Sequence, residues 1–346
     1  MWRPEEREAI TTGTKKALFL YSIVAAPLLI VAALFVDSAL EIRTDEEWHD
    51  INTRFDPDLG WSPIPGRRIE GQSSGMISTN ALGYRSPPLD PTKRLIVMLG
   101  DSVTWGLGVS DQQTAAARLD AMVGGSGWQV QNMGVSGYAV DQYYLRLKKD
   151  IGRLAGLKRV VLIVCTSNDL NGTGGNVESG KRKPLFTLRD GRLVAPGPIS
   201  GYCLRNLATS GRGLGRWLAR YGPSAAWLMG DRRLSPDDAE KTTALLLAEI
   251  RTLAEARGAR LTVVLSPALE DLDAPSEAYS FFKGLAIRDR YDLVDLRESI
   301  RAEVKPADRG SLYIHDSTVV NHYSPSGHLL VARVLHARIF AVGKFD

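Results

Sequence analysis

RLIVMLGDS, residues 94–102, is the stretch on which the reading of this chain turns. Leu95 to Leu99 is an unbroken apolar run of strand length, closed by Gly100. Such a run suits a strand buried on both faces, as in a parallel sheet covered by helices. Asp101 and Ser102 follow directly, so a carboxylate and a hydroxyl stand at the carboxyl end of that strand.

Working outward, the spacing predicts a helix over Gln112–Val123 and a strand at Trp128-QVQNM. A helix over Gln142–Ile151 and a β-branched strand over Arg159–Cys165 follow. After an interruption come a long amphipathic helix, Pro236–Arg257, and a strand, Arg260–Leu265. Then a helix over Ser276–Asp289, a fifth strand at Tyr291-DLVDL and a last helix over Pro325–Ile339 are predicted. Strands alternating with helices imply a three-layer α/β/α sandwich on a five-stranded parallel sheet, with right-handed crossovers. Residues 37–90, rich in Pro, Gly and Asp, read as a linker with short hairpins leading into a domain over 91–346.

The interruption spans 172–235. KPLFTLRDGRLV reads as a hairpin turning at Asp190-Gly191. Between Gly172 and Arg233 stand eleven Lys or Arg against three acids, a local excess of eight, whereas the whole chain, with 43 basic and 39 acidic side chains, is only +4. The basic excess belongs to this insertion. Lys181, Arg182 and Lys183 are candidates for a lid that meets an anionic substrate or lipid headgroups; a solvated face is the plain alternative. The overall balance gives no case for nucleic acid.

Ala17–Val36 is twenty residues without a charge, about 30 Å as a helix, enough for a bilayer core. Arg3, Arg7, Lys15 and Lys16 precede it, and only Arg43 follows closely, beside Asp45, Glu46 and Glu47. The expectation is an uncleaved anchor with residues 1–16 cytoplasmic and the remainder periplasmic or otherwise extracytoplasmic. Two cysteines, Cys165 and Cys203, cannot form a disulfide framework or a thiolate zinc site, and Cys165 reads as a buried strand residue. No metal or cofactor is expected. Gly175-NVES-Gly180-Lys181 imitates a P-loop, but Arg182 replaces the magnesium-holding hydroxyl and Pro184 follows where a helix should begin. His315, His322 and His328 lack ligand partners at helical spacing.

Chemistry gathers at strand ends. The first strand delivers Ser102, the second ends in Asn132-Met-Gly-Val-Ser-Gly137, and the third in Cys165-Thr-Ser-Asn168-Asp169. Ligands of open α/β sheets bind at that edge. Near the C-terminus, Asn321-His-Tyr-Ser-Pro-Ser-Gly-His328 places Ser324 and Pro325 as N-cap and first residue of the last helix. His322 then lies in the loop before it. A serine hydroxyl needs an imidazole to become a nucleophile, and the oxyanion it generates needs fixed donors.

These four blocks, in this order over residues 91–346, resemble the SGNH (GDSL-type) hydrolase superfamily. NALGYRS at 80–86 and the 183–194 hairpin resemble its membrane-anchored bacterial branch. The resemblance implies a flavodoxin-like fold, with Ser102 as nucleophile and His322 as general base. It also implies oxyanion donors at the N–H groups of Ser102 and Gly137 and at the Asn168 carboxamide. Two positions depart from the pattern: Ser167 precedes Asn168 where glycine is usual, and Val319 stands three residues before His322 where an aspartate is usual. The nearest acid is Asp316, reached through LYIHD, and it is the candidate third member of a triad.

The function implied is a serine esterase acting on an O-acyl ester, an acetyl group for instance, of an extracytoplasmic glycan or lipid. Transfer of the acyl group to a sugar hydroxyl, or glycan binding by a catalytically degenerate domain, are the alternatives.

Overall fold

The computed structural model describes residues 21, 23–32, 52–71, 75–178, 181–199, 232–315 and 321–340. The chain falls into two compact units. In the first, 1–51 with 202–229, Tyr21 and Ile23–Ala32 are helical and exposed. Among the described residues no helix is long and apolar enough to cross a membrane. Of the expected anchor, 17–36, residues 17–20, 22 and 33–36 lie outside the described residues, as does Cys203.

The second unit, 52–201 with 230–346, carries the sheet. Two antiparallel hairpins come first: β1 (Thr53–Asp56) with β2 (Gly60–Pro63), and β3 (Arg68–Gly71) with β4 (Gly75–Ser78). Then follow β5 (Arg94–Leu99), α1 (Ser102–Trp105), α2 (Ala115–Val123), β6 (Trp128–Asn132), α3 (Val140–Asp150), β7 (Leu157–Cys165) and α4 (Asp169–Thr173). The insertion contributes β8 (Val177–Glu178), β9 (Lys181–Arg182), β10 (Thr187–Arg189) and β11 (Arg192–Val194). The chain closes with α5 (Pro236–Glu255), β12 (Arg260–Ser266), α6 (Glu277–Arg288), β13 (Asp292–Asp295), α7 (Leu296–Glu303) and α8 (Pro325–Phe340).

The five-stranded sheet is parallel throughout and ordered β13-β12-β7-β5-β6. In sequence order of its strands this is 2-1-3-4-5, the flavodoxin-like arrangement, whose order reverses between β5 and β7. The pleat sends Leu95, Val97 and Leu99 to one face and Ile96 and Met98 to the other. One face packs on α3, α5 and α6 through Tyr143, Leu147, Leu246, Ile250 and Phe282. The other packs on α2, α7 and α8 through Leu119, Ile300, Val331 and Leu335. Each aliphatic side chain so buried contributes about 1.5–3 kcal/mol, so the β5 run, with five of them, is firmly anchored.

All ten predicted strands and helices of the sandwich recur with shifts of a few residues, and α7 was not foreseen. Asp295 caps α7 by accepting from the N–H groups of Arg297 and Glu298, so the last strand passes straight into a helix with no loop to announce it. The Asp190-Gly191 turn forms as expected, with positive φ of 52° and 72° at its two central residues.

The base of the insertion is closed by a bridge between Gly175 and Arg233, and beneath it lies a correction. Lys183, grouped with Lys181 and Arg182 as lid, is buried. Its ammonium pairs with the buried Asp141 of α3 and donates to the carbonyls of Gly172 (2.9 Å), Gly175 (3.2 Å) and Pro184 (3.3 Å). Three backbone carbonyls and a carboxylate absorb all the hydrogen-bonding capacity of one ammonium. Stripping one partner from a buried pair costs about 3–5 kcal/mol, so this lysine belongs to the fold and not to substrate. Lys181 and Arg182 stay partly exposed.

Candidate active site

The sheet's order reversal sets β5 beside β7, and the loops leaving these two strands hold the site. Leu99 ends β5, and Asp101 caps α1 by accepting from the Val103 N–H at 2.9 Å. Ser102 is thus the first helical residue, and its own N–H has no intrahelical acceptor. Gly100 has no substitute, since a Cβ there would collide with Thr104 Oγ1.

A four-residue helix is too short to hold itself. Arg85, in the NALGYRS segment, secures it from outside. The buried guanidinium donates to the carbonyls of Trp105 (3.0 Å), Gly106 (2.7 Å) and Val109 (2.7 Å), and pairs with Asp111 at 2.8 Å. Gly106, left-handed at φ 86°, ends the helix. Arg85 therefore satisfies carbonyls that a helix C-terminus leaves open. In the sequence this segment stands out only by its likeness; its signal is Arg85, an arginine among small and apolar residues upstream of the serine.

Across β5 and β6, Asn132 donates from Nδ2 to the Thr104 carbonyl (2.8 Å) and accepts from the Gly134 N–H (3.0 Å). The loop after β6 is thereby fastened to α1. Val135 to Tyr138 then form a turn closed by the Tyr138 N–H on the Val135 carbonyl (3.1 Å), with Gly137 at φ 78° in its third position. That is a type II turn, and the positive φ requires glycine. The Gly137 N–H takes no hydrogen bond among the described residues.

Asn168 begins the turn into α4. Its Nδ2 donates to Asp101 Oδ2 at 3.0 Å, and its Oδ1 has no partner. One amide hydrogen is spent on the carboxylate, which fixes the plane of the carboxamide and leaves the second hydrogen for the site. Asp101 thus caps the helix that begins at Ser102 and orients the Asn168 carboxamide, a double duty that no local sequence pattern announces. Beside it, Asp169 accepts from the Tyr143 hydroxyl (2.8 Å) and the Cys165 N–H (2.9 Å). Burial, and then the Asp101 charge, pushes its carboxyl well above the usual carboxylate range. Cys165 is a buried free thiol, and burial pushes it up in the same way.

His322 arrives from the far end of the chain. Residues 312–314 run antiparallel to 322–324: the Ile314 N–H donates to the His322 carbonyl (2.8 Å) and the Ser324 N–H to the Leu312 carbonyl (2.8 Å). Asn321, at φ 61°, turns the chain into this ladder and accepts from the Leu269 N–H at 3.2 Å. The imidazole Nε2 then lies 2.7 Å from Ser102 Oγ. A basic Nε2 accepts the serine proton at that distance.

A serine hydroxyl and an imidazole at this distance are the pair that the sequence resemblance implied. The serine at the first strand's end meets the imidazole that precedes the last helix, and the carboxamide after the third strand joins them through Asp101, the residue before the serine. No protein-family model matches the chain, and no curated protein matches it. Among solved structures it is similar to a member of the lipolytic G-D-S-L family from Veillonella parvula (14% identity, TM-score 0.41, 73% of this chain and 100% of that one). It is also similar to an acetyl xylan esterase from Geobacillus stearothermophilus (15% identity, TM-score 0.39, 72% and 97%). These likenesses are distant, and the geometry of the site stands without them.

Asp316 lies outside the described residues. Lys181 and Arg182 sit on β9; the Lys181 ammonium lies 5.2 Å from the centre of the Trp61 ring, whose edge adjoins Gly137. Through Trp61, β9 therefore lies close to Gly137.

His328 does different work. Its ring is buried and edge-on to Tyr323, and Nδ1 accepts from the Ala115 N–H (3.3 Å), one of the open amides at the start of α2. Burial first, then the charges of Arg85 and His322, lowers its pKa to about 3. An unfolded histidine titrates near 6.5, so between those values the unfolded chain binds the extra proton and folding weakens as pH falls, by about 1.4 kcal/mol per pH unit. His328→Gln removes that dependence. Between pH 6.5 and 4.5 the stability gap between wild type and variant in urea should shrink by about 2–3 kcal/mol. A gap independent of pH would show that the ring is not held neutral.

Proposed function

We propose that the chain is a serine esterase that hydrolyses an O-acyl ester, an acetyl group foremost, on an extracytoplasmic glycan or lipid. The observation that carries this reading is the 2.7 Å contact between Ser102 Oγ and His322 Nε2. His322 takes the hydroxyl proton as Ser102 attacks the ester carbon. The oxyanion forms toward the N–H groups of Ser102 and Gly137 and the free amide hydrogen of Asn168. Each such donor contributes roughly 3 kcal/mol to the transition state, or ~10²–10³ in rate. Collapse expels the alcohol, which receives the proton from His322. Water, activated by the same imidazole, then releases the acid and restores Ser102.

Asp316 is proposed as the carboxylate that fixes the tautomer of His322 and stabilises the imidazolium. The basic insertion, through Lys181 and Arg182, is proposed to select an anionic substrate while leaving the chemistry to the sheet edge.

In an assay with p-nitrophenyl acetate, Ser102→Ala and His322→Ala should each lose at least about a thousandfold in kcat. Asp316→Asn should lose a large part of that as well. Full activity in Ser102→Ala would overturn the esterase reading. Wild-type activity in Asp316→Asn with a dead His322→Ala would leave a Ser-His dyad.

The uncharged run 17–36 and the basic residues before it support an N-terminal anchor with the catalytic unit outside the cytoplasm. A C-terminal alkaline phosphatase fusion should then be active and a cytoplasmic reporter fusion silent. The reverse pattern would put the substrate inside the cell.

A further inference from the structure

We propose that Trp61 is the positioning residue that sets the direction of the Gly137 N–H, and with it the oxyanion hole; the inference rests on the esterase reading above. Trp61 belongs to β2, in the hairpin that precedes the sheet, and its side chain is buried. The indole Nε1–H donates to the Ser136 carbonyl at 3.0 Å. The Tyr138 hydroxyl donates in turn to the Trp61 carbonyl, and the two rings meet edge to face at 5.5 Å. One residue thus grips both neighbours of Gly137. The ring also closes the space beside it: a Cβ at position 137 would lie 3.2 Å from Trp61 Cζ2.

The consequence follows from peptide geometry. The Ser136 carbonyl and the Gly137 N–H belong to one planar trans peptide and point in opposite directions. Holding the carbonyl therefore aims the N–H. That peptide is the central one of the turn from Val135 to Tyr138. Type I and type II turns differ by a half-rotation of the central peptide, and glycine in the third position is compatible with both. With Gly137 at φ 78° the turn is type II. In the type I alternative the carbonyl and N–H exchange sides, and the donor leaves the site. The indole hydrogen bond exists in the type II form alone, so it biases the equilibrium toward the competent state. Lys181, over the indole face, links the insertion to the same lever.

The test is Trp61→Phe, which keeps a ring and removes the donor. A second variant, Trp61 replaced by its benzothiophene isostere, keeps the shape as well. With p-nitrophenyl acetate, kcat should fall about ten- to a hundredfold with KM within twofold, short of the ~10²–10³ that outright loss of a donor brings. Affinity for a trifluoromethyl ketone, which forms the oxyanion adduct, should fall by the same factor as kcat/KM. The isostere should reproduce both losses with an unchanged melting temperature. Wild-type kcat in the folded isostere variant, or a raised KM with kcat unchanged, overturns the inference and leaves the esterase reading intact. An inert wild type overturns both.

Discussion

The hydroxyl of Ser102 and the imidazole of His322 stand 220 residues apart in the chain and 2.7 Å apart in space, and every other feature of the site is a condition for that contact. Ser102 must leave β5 on a helix of only four residues, so Arg85 and Asp101 hold the two ends of that helix from outside it. His322 must come back over the sheet edge, so Asn321 adopts a left-handed turn and the chain pairs with residues 312–314. Behind it, His328 ties α8 to the start of α2.

The proposed oxyanion side follows the same logic of borrowed support. Neither Gly137 nor Asn168 sits in regular structure strong enough to fix it. Asn168 is oriented by Asp101, the residue that also caps the helix of Ser102, so the carboxamide and the serine share one carboxylate. Gly137 is bracketed by Trp61 from a hairpin outside the sheet. The fold supplies the convergence of three strand ends, and residues from the irregular N-terminal segment supply the rigidity. A site assembled on loops needs such a supporting layer to hold catalytic geometry.

How much of this was legible in the sequence depends on the range of the interaction concerned. The parallel sheet was readable because β5, β7 and β12 carry local apolar runs, and the DG turn because its chemistry is confined to two residues. Ser102, Gly137, Asn168 and His322 were readable because they sit in short blocks at element ends. Arg85 and Trp61 were not, since their partners lie 21 and 75 residues away and no local pattern records such pairings. Lys183 was misread for the same reason: as one of three adjacent basic residues it looks like surface charge, and only the placement of Asp141, 42 residues earlier, reveals a buried pair. α7 escaped because a single residue, Asp295, ends a strand and caps a helix at once.

The central claim is that Ser102 is an activated nucleophile. The most direct measurement is to treat the protein with a fluorophosphonate probe and map the modified residue by peptide mass spectrometry. The account predicts a single label on Ser102, lost in His322→Ala. A label on another residue, or equal labelling when Ser102 is replaced by alanine, would contradict it.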